Sequence, residues 1–493
     1  MSENNALPAS LTYDPKTDRP QEECGVFAVY GAEDASVLTA LGLHALQHRG
    51  QEACGIAAHD GSRFHIERYL GLVGKHFTSP DLAERLPGRV AIGHVRYSTQ
   101  GASILRNVQP LYADVRGGGI ALAHNGNLTN ARVLREELVP TGAIFQSTSD
   151  SEVVLHLAAQ SKKSKSVDRV LHALKQIEGA FAFVVMVNNT LIAVRDPYGI
   201  RPLVMGQLGD AIIFASESSA LDMVGAEFVR DVEPGEAVIV ADGEVRSERI
   251  SPPRVARMCA FEFIYFARPD SVIGGRSVYD ARKQMGRQLA LETPADVDVV
   301  IPVPDSGVPA AIGYSEASGI PFELGIIRSH FVGRTFIQPT QDRRDLSVHL
   351  KHAANAAVVK GKRVLMIDDS IVRGTTSLKI VRMIRDAGAT EVHFRSACPP
   401  IKFPDFYGID MAGQKELIAA NQDLETMTRN LEADSLGFLS VEGMYQAIVG
   451  EPRNNRLPQL ADHYFTGHYP TRLIDHDRDL SDKEFQLSLL VDA

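Results

Sequence analysis

Along the first half of the chain, runs in which nearly every position is apolar alternate with short polar breaks. They are "CGVFAVYG" from 24, "RVAIGHVRYST" from 89, "GGIALAHNGNL" from 118, "AFAFVVMVNNTLIAVRD" from 180, "AIIFASES" from 211 and "EAVIVADGEV" from 236. Both alternating faces of these strands are apolar, the pattern of a sheet covered on two sides. Helical spacing appears between them in "ASVLTALGLHALQH", "SDSEVVLHLAAQS" and "SVDRVLHALKQI". Many strands and few helices predict a layered α+β domain.

Beyond "ISPPRVARM" the rhythm changes to strand–helix–strand. "DVDVVIPVPDSG" predicts a strand and turn, followed by a helix in "VPAAIGYSEASG" with Pro309 near its start. "KRVLMIDDS" and "TEVHFRSA" are strands on either side of the helix "TTSLKIVRMIRDAG", which Gly388 ends. In that helix Ile380, Met383, Ile384 and Ala387 share a face, and Arg382 and Arg385 point elsewhere. This alternation predicts an α/β domain with a parallel sheet. The seam falls near Ser251–Pro253, giving a leader 1–23, domains 24–252 and 253–467, and a tail 468–493 in which Ser481 and Glu484 can start a short helix.

The length of 493 residues requires more than one core, and 44% hydrophobic with 23% charged residues is a globular composition. A net charge of −10 argues against a general nucleic-acid binder. No apolar run reaches transmembrane length, and the leader lacks the build of a signal peptide. Cys24, Cys54, Cys259 and Cys398 form no C-x-x-C pair, which fits a reducing cytosol better than a disulfide framework.

"VLMIDDSIVRGTTS", 364–377, brings a strand to two carboxylates and then a small-residue loop that opens a helix. Backbone N–H groups of such a loop can converge on a phosphate, with the hydroxyls of Thr375, Thr376 and Ser377 as further donors. Asp368 and Asp369 would repel a bare phosphate, so they suit sugar hydroxyls or a divalent cation. A helix-capping surface loop is the plainer reading of a DD pair alone. The complete pattern resembles the type I phosphoribosyltransferases. The resemblance implies Asp368 and Asp369 on the ribose hydroxyls of phosphoribosyl pyrophosphate (PRPP), and Arg373, Gly374, Thr375, Thr376 and Ser377 around its 5′-phosphate. It also implies a pyrophosphate loop at "VPDSG", with Ser306, Asp368 and Asp369 around Mg²⁺. The basic stretch 328–351, with Arg334 inside it, is expected to be a mobile lid over a reactive sugar cation.

In the first domain a cysteine opens a strand behind a dispensable leader. If residues 1–23 are removed, Cys24 carries an α-amine of pKa about 7.7–8.0 that can serve as its own base. Burial in the core is the plainer reading of a lone cysteine, and Cys54 in "QEACGIAAHD" has a similar local setting. Elsewhere Arg96 can grip a carboxylate, and Asn125 with the Gly126 N–H offers two donors to an oxyanion. Asp150 can hold an ammonium group or cap "SEVVLHLAA". Together these residues and "HRGQEACGIA" resemble the class II glutamine amidotransferases, an N-terminal-nucleophile family. That resemblance implies Cys24 as nucleophile, Arg96 and Asp150 on the amino-acid end of glutamine, Asn125 and Gly126 in the oxyanion hole, and Cys54 as structural.

In this order the two domains resemble the glutamine-dependent PRPP amidotransferases. The resemblance implies the first step of purine synthesis: glutamine, PRPP and water give 5-phosphoribosylamine, pyrophosphate and glutamate. Ammonia would pass through a channel that Tyr265 can line, in a cytoplasmic homotetramer inhibited by purine nucleotides. A sugar-phosphate-aminating relative would carry sugar-isomerase motifs in place of "IDDSIVRGTTS". A non-enzymatic PRPP sensor would not need Cys24, Arg96, Asn125 and Asp150 together. One branch of the family holds a [4Fe–4S] cluster on four cysteines. Here Cys259 stands at the first of those positions, but Asp405, Ala461 and Tyr464 stand at the others, so no cluster is expected.

Overall fold

A computed structural model describes residues 24–97, 104–252, 254–328, 352–411 and 413–477. The leader 1–23, Arg334 with most of its basic stretch, and the tail beyond 477 lie outside the described residues.

The first domain is built on two antiparallel sheets. One has seven strands, in the order Glu227–Asp231, Val204–Leu208, Ala211–Ala215, Gly25–Tyr30, Val90–Arg96, Ala53–His59 and Phe64–Leu70. The other has six, in the order Glu244–Arg249, Glu236–Ala241, Thr190–Arg195, Gly179–Val187, Gly118–Leu128 and Leu111–Val115. Alternation decides which core each side chain joins. Val26, Ala28 and Tyr30 turn inward against Ala123, Ala182 and Val184 of the facing sheet. Phe27 and Val29 turn outward under the helix Ala35–Ala45. On the far side Phe181, Phe183 and Val185 pack under the helices Glu152–Gln160 and Ser166–Leu174. Helices on both outer faces explain why neither alternation is polar.

Two expectations need correction. The run from Ala180 is two strands, because Asn188 at φ 49° turns it back on itself and its Oδ1 accepts from Gly119 N–H at 3.0 Å. The strand after the leader begins on Gly25, with Cys24 half-buried just before it. Of the two readings open for Asp150, the cap drops out: the helix Glu152–Gln160 is preceded by Ser151, and the Asp150 carboxylate bonds elsewhere.

The second domain has a parallel four-stranded sheet in the order Val299–Pro302, Arg363–Asp368, Glu391–Ser396 and Ser435–Phe438. Helices Val278–Glu292, Val308–Ser318 and Val441–Ile448 cover one face, burying Met285, Tyr314 and Met444 against Val300, Leu365 and Ile367. Helix Thr375–Asp386 covers the other with Ile380, Val381 and Ile384, and its Arg382 and Arg385 bond to Glu432. The connecting segment stays tied to the first domain, since Arg257 and Cys259 N–H groups donate to Tyr198 and Ile200 carbonyls. The chain returns to the first domain near its end too: the Asp475 carboxylate accepts the Arg132 and Val133 N–H groups that open the helix Ala131–Leu138.

Candidate active sites

The first site lies where strand ends of both sheets meet. Cys24 donates its thiol to the Tyr97 carbonyl at 3.5 Å, and Arg49 Nε reaches the Cys24 carbonyl at 3.4 Å. Ser216 joins the two sheets here. Its hydroxyl accepts from Val26 N–H at 3.0 Å and from Asn125 Nδ2 at 3.3 Å, bringing Asn125 to the strand that Cys24 precedes. Burial pushes the Cys24 thiol above its usual pKa, while Arg96 and Arg49 draw it down and Asp150 opposes them. All three charges are therefore felt at the sulfur. The net rise means that the thiol needs a base to become a nucleophile.

Arg96 ends the strand Val90–Arg96 and is buried. Asp150 accepts from the Leu128 N–H at 2.9 Å, two residues past Gly126, and from Ser151 Oγ at 3.0 Å. Burial pushes its carboxyl up, but the facing His124 and these hydrogen bonds outweigh that and hold it below the ordinary range. It is therefore anionic at neutral pH and able to receive an ammonium group. Gly126 runs at φ 135°, where a Cβ would fall 2.1 Å from the Ala180 carbonyl oxygen, so only glycine fits. Asn125 Oδ1 is buried with no hydrogen-bond partner among the described residues. Cys54 faces the helix-covered side, fully buried, with burial pushing its thiol up to about 12.

Sequence reasoning missed Arg49, Glu217 and Glu262. Arg49 donates to Glu217 at 2.5 Å and to both oxygens of Glu262 at 2.5 and 3.0 Å, all essentially without solvent exposure. Glu262 belongs to the π-helical turn Glu262–Phe266 at the domain junction. One buried guanidinium thus ties the Cys24 backbone to the second domain. The available signal was a glutamate inside the aromatic run "FEFIYF", since a charge there requires a buried partner.

The second site sits at the carboxyl ends of the parallel strands, where ligands of open α/β sheets bind. Asp368 ends its strand, and its Oδ1 accepts from the Asp369 N–H at 2.9 Å. Asp369 accepts from Ser370 Oγ at 2.6 Å and from Ser306 Oγ, which joins "VPDSG" to the carboxylate pair. Gly374 turns at φ 84° and starts the helix at Thr375; Thr375 and Thr376 are partly exposed there, with Ser377 buried behind them. Arg373 beside them donates to Glu416 at 3.2 Å. Beneath Asp369 a small cavity of about 10 Å³ is lined by Ile264 of the junction turn, Arg282, Ser306 and Ala397. Arg282 donates to the Phe263 and Ala267 carbonyls, and burial pushes it down to about 10.

The four positions compared with cluster ligands also come together. Cys259 pairs in parallel with Ala461, and its sulfur lies 3.1 Å from the Tyr464 hydroxyl. Asp405 bonds to His463 at 2.7 Å. Burial pushes the Cys259 thiol up to about 11 and the Tyr464 phenol well above its usual value.

The family model of the glutamine amidotransferase domain matches residues 94–223, and that of the phosphoribosyl transferase domain matches 277–400. The chain is 58% identical over 482 residues to the amidophosphoribosyltransferase of Rhizobium etli, covering 96% of this chain and 97% of the relative. It is 48% identical over 453 residues to that of Bacillus subtilis, covering 92% and 95%. A solved structure of glutamine phosphoribosylpyrophosphate amidotransferase from B. subtilis, complexed with ADP and GMP, superposes with a TM-score of 0.86 at 47% identity. It covers 91% of this chain and 98% of that one.

Proposed function

The chain belongs to the amidophosphoribosyltransferase family, and from this we infer how its residues divide the reaction of glutamine, PRPP and water to 5-phosphoribosylamine, pyrophosphate and glutamate, the first step of purine biosynthesis. The observation that carries the division is that each half-reaction has its own polar constellation, on opposite sides of one junction turn.

In domain 24–252, Arg96 binds the α-carboxylate of glutamine and Asp150 its α-ammonium. Cys24 attacks the side-chain amide, expelling ammonia and leaving a thioester that water hydrolyses. Negative charge on the tetrahedral intermediate is met by the Gly126 N–H and the Asn125 amide. Rotating that amide turns its N–H₂ into the site where the unpartnered Oδ1 now points and lets the Ser216 hydroxyl donate to its oxygen. The base is the α-amine freed by removal of residues 1–23, because the buried thiol is otherwise held protonated. Mass spectrometry of active protein should show a chain beginning at Cys24; full glutaminase activity with the leader attached would overturn this.

In domain 253–467, Asp368 and Asp369 bind the ribose hydroxyls, and Arg373 with the 374–377 backbone and hydroxyls binds the 5′-phosphate. Among the described residues no group of three His, Cys, Asp or Glu could hold a metal by itself. Asp368, Asp369 and the Ser306 hydroxyl fit a Mg²⁺ that arrives with waters and substrate oxygens, and that ion would offset charge on the departing pyrophosphate. Ammonia travels past Tyr265 and the cavity beneath Asp369, shielded from protonation by bulk water. The ribose 5-phosphate of a purine nucleotide presents the same groups as that of PRPP. Binding of purine nucleotides to this site follows, in line with the relative complexed with ADP and GMP. A homotetramer in the cytoplasm completes the reading; its four cysteines are free, as a reducing compartment requires, and no described helix is long and apolar enough to cross a membrane. Glutamine hydrolysis measured with and without PRPP tests the whole: hydrolysis should rise with PRPP, and a rate indifferent to it would separate the two sites.

An iron–sulfur cluster does not fit the residues present. Four thiolates are needed, and around Cys259 stand an alanine, a buried tyrosine hydroxyl and an aspartate already bonded to histidine. Anaerobically purified protein is expected to be colourless; stoichiometric iron and sulfide would sink this reading.

A further inference from the structure

The turn Asp405–Ile409 of the second domain lies against the strand that carries Asn125 and Gly126, and one carboxylate sets its shape. The Asp405 side chain is fully buried. Its Oδ2 accepts the N–H groups of Tyr407 at 2.8 Å and Ile409 at 2.7 Å, and its Oδ1 accepts from His463 Nε2 at 2.7 Å. An aspartate that satisfies donors two and four residues ahead closes the chain into a tight turn.

That turn presents its carbonyls to the first domain. Phe406 O accepts from Asn127 Nδ2 at 2.9 Å, and Tyr407 O from Arg201 Nη2 at 2.5 Å. It also presses Gly408 onto Gly126: a Cβ on Gly408 would lie 3.0 Å from the Gly126 carbonyl carbon and 3.2 Å from its Cα. Gly126 thus meets Ala180 of its own sheet and, at its Cα and carbonyl, Gly408 of the second domain, directly beyond the N–H offered to the oxyanion. Oxyanion stabilisation depends on where a donor sits rather than on its presence, so what packs against the Cα and carbonyl next to that N–H bears on the rate.

We infer that Asp405 is a positioning residue for the glutamine half-reaction, fixing from the second domain the backbone at Gly126 of the first. The inference rests on the assignment of Asn125 and Gly126 to the oxyanion hole. It gives the aspartate a role at a position where related chains were expected to carry a cluster ligand.

In Asp405→Ala, kcat for glutamine hydrolysis is expected to fall about tenfold to a hundredfold, less than loss of a whole oxyanion donor. KM for glutamine and ammonia-dependent synthesis from PRPP should both stay within about twofold. Asp405→Asn should restore most of the rate. Its amide oxygen can still face Tyr407 and Ile409, and its N–H₂ can donate to the Nε2 lone pair of neutral His463. Asn127→Ala, which cuts the tether to Phe406 and leaves the turn intact, should lower the same kcat severalfold, and it decides alone if Asp405→Ala fails to fold. An unchanged kcat in both alanine variants overturns the inference, as does an equal loss of both activities in Asn127→Ala. Asn125→Ala serves as the reference. If it too keeps full kcat, the oxyanion assignment itself fails; if it is slow while both alanine variants are not, only the role of Asp405 fails.

Discussion

Cys24→Ala is expected to lower glutamine-dependent synthesis to background, at least about a thousandfold, while ammonia-dependent synthesis from PRPP persists. The substitution removes one sulfur from a half-buried side chain whose thiol makes a 3.5 Å contact with the Tyr97 carbonyl. Arg49 holds the backbone carbonyl of residue 24 rather than its side chain, so the ion pairs with Glu217 and Glu262 survive the change. Cys54 cannot stand in, because it faces the helix-covered core with its thiol pushed up to about 12. The second site uses no atom of Cys24, which is why free ammonia should bypass the defect. Steady-state rates with each nitrogen source, beside a thermal melt, measure this. Loss of both activities with an unchanged melt would show that the two chemistries are not separable.

Local pattern carried far in this chain, and long-range pairing limited it. Strands apolar on both faces announced sheets covered on both sides, and the layers found explain why. By alternation alone, Phe27 and Val29 serve the helix-covered core, and Val26 and Ala28 the core between the sheets. The strand Phe64–Leu70 escaped notice because it is a half-exposed edge strand, with Glu67 and Arg68 interrupting its apolar positions. The turn at Asn188 was hidden inside an apolar run, its only cue the paired asparagines. At the candidate sites, the residues proposed to act through their own chemistry left a local pattern: a carboxylate pair before a small-residue loop, and a cysteine just before a strand. Those that act by holding another residue left none. Arg49 and Glu262 are 213 positions apart, and Asp405 finds His463 58 positions later. Asp405 could be read only as a missing thiolate until the fold supplied its partners.

Asp368→Asn combined with Asp369→Asn is expected to reduce synthesis from both nitrogen sources together. Hydrogen bonds to a charged group contribute roughly 1.5–3 kcal/mol each, so losing one per carboxylate predicts a fall of about two to four orders of magnitude. The geometry argues that this loss is chemical rather than structural. Both side chains are nearly buried, and an amide oxygen can still accept the bond that Asp368 takes from the Asp369 N–H and the bond that Asp369 takes from Ser370. The strand Arg363–Asp368 keeps its parallel register through backbone bonds to both neighbours. What the amides cannot supply is negative charge toward ribose hydroxyls and a magnesium ion. The defect should therefore appear as weakened PRPP use that extra Mg²⁺ does not fully restore, with the melting temperature nearly unchanged. Glutamine hydrolysis measured without PRPP should be spared, since Cys24, Arg96, Asn125 and Asp150 lie in the other domain. Near-normal ammonia-dependent turnover in the double variant would mean that the phosphoribosyl site lies elsewhere.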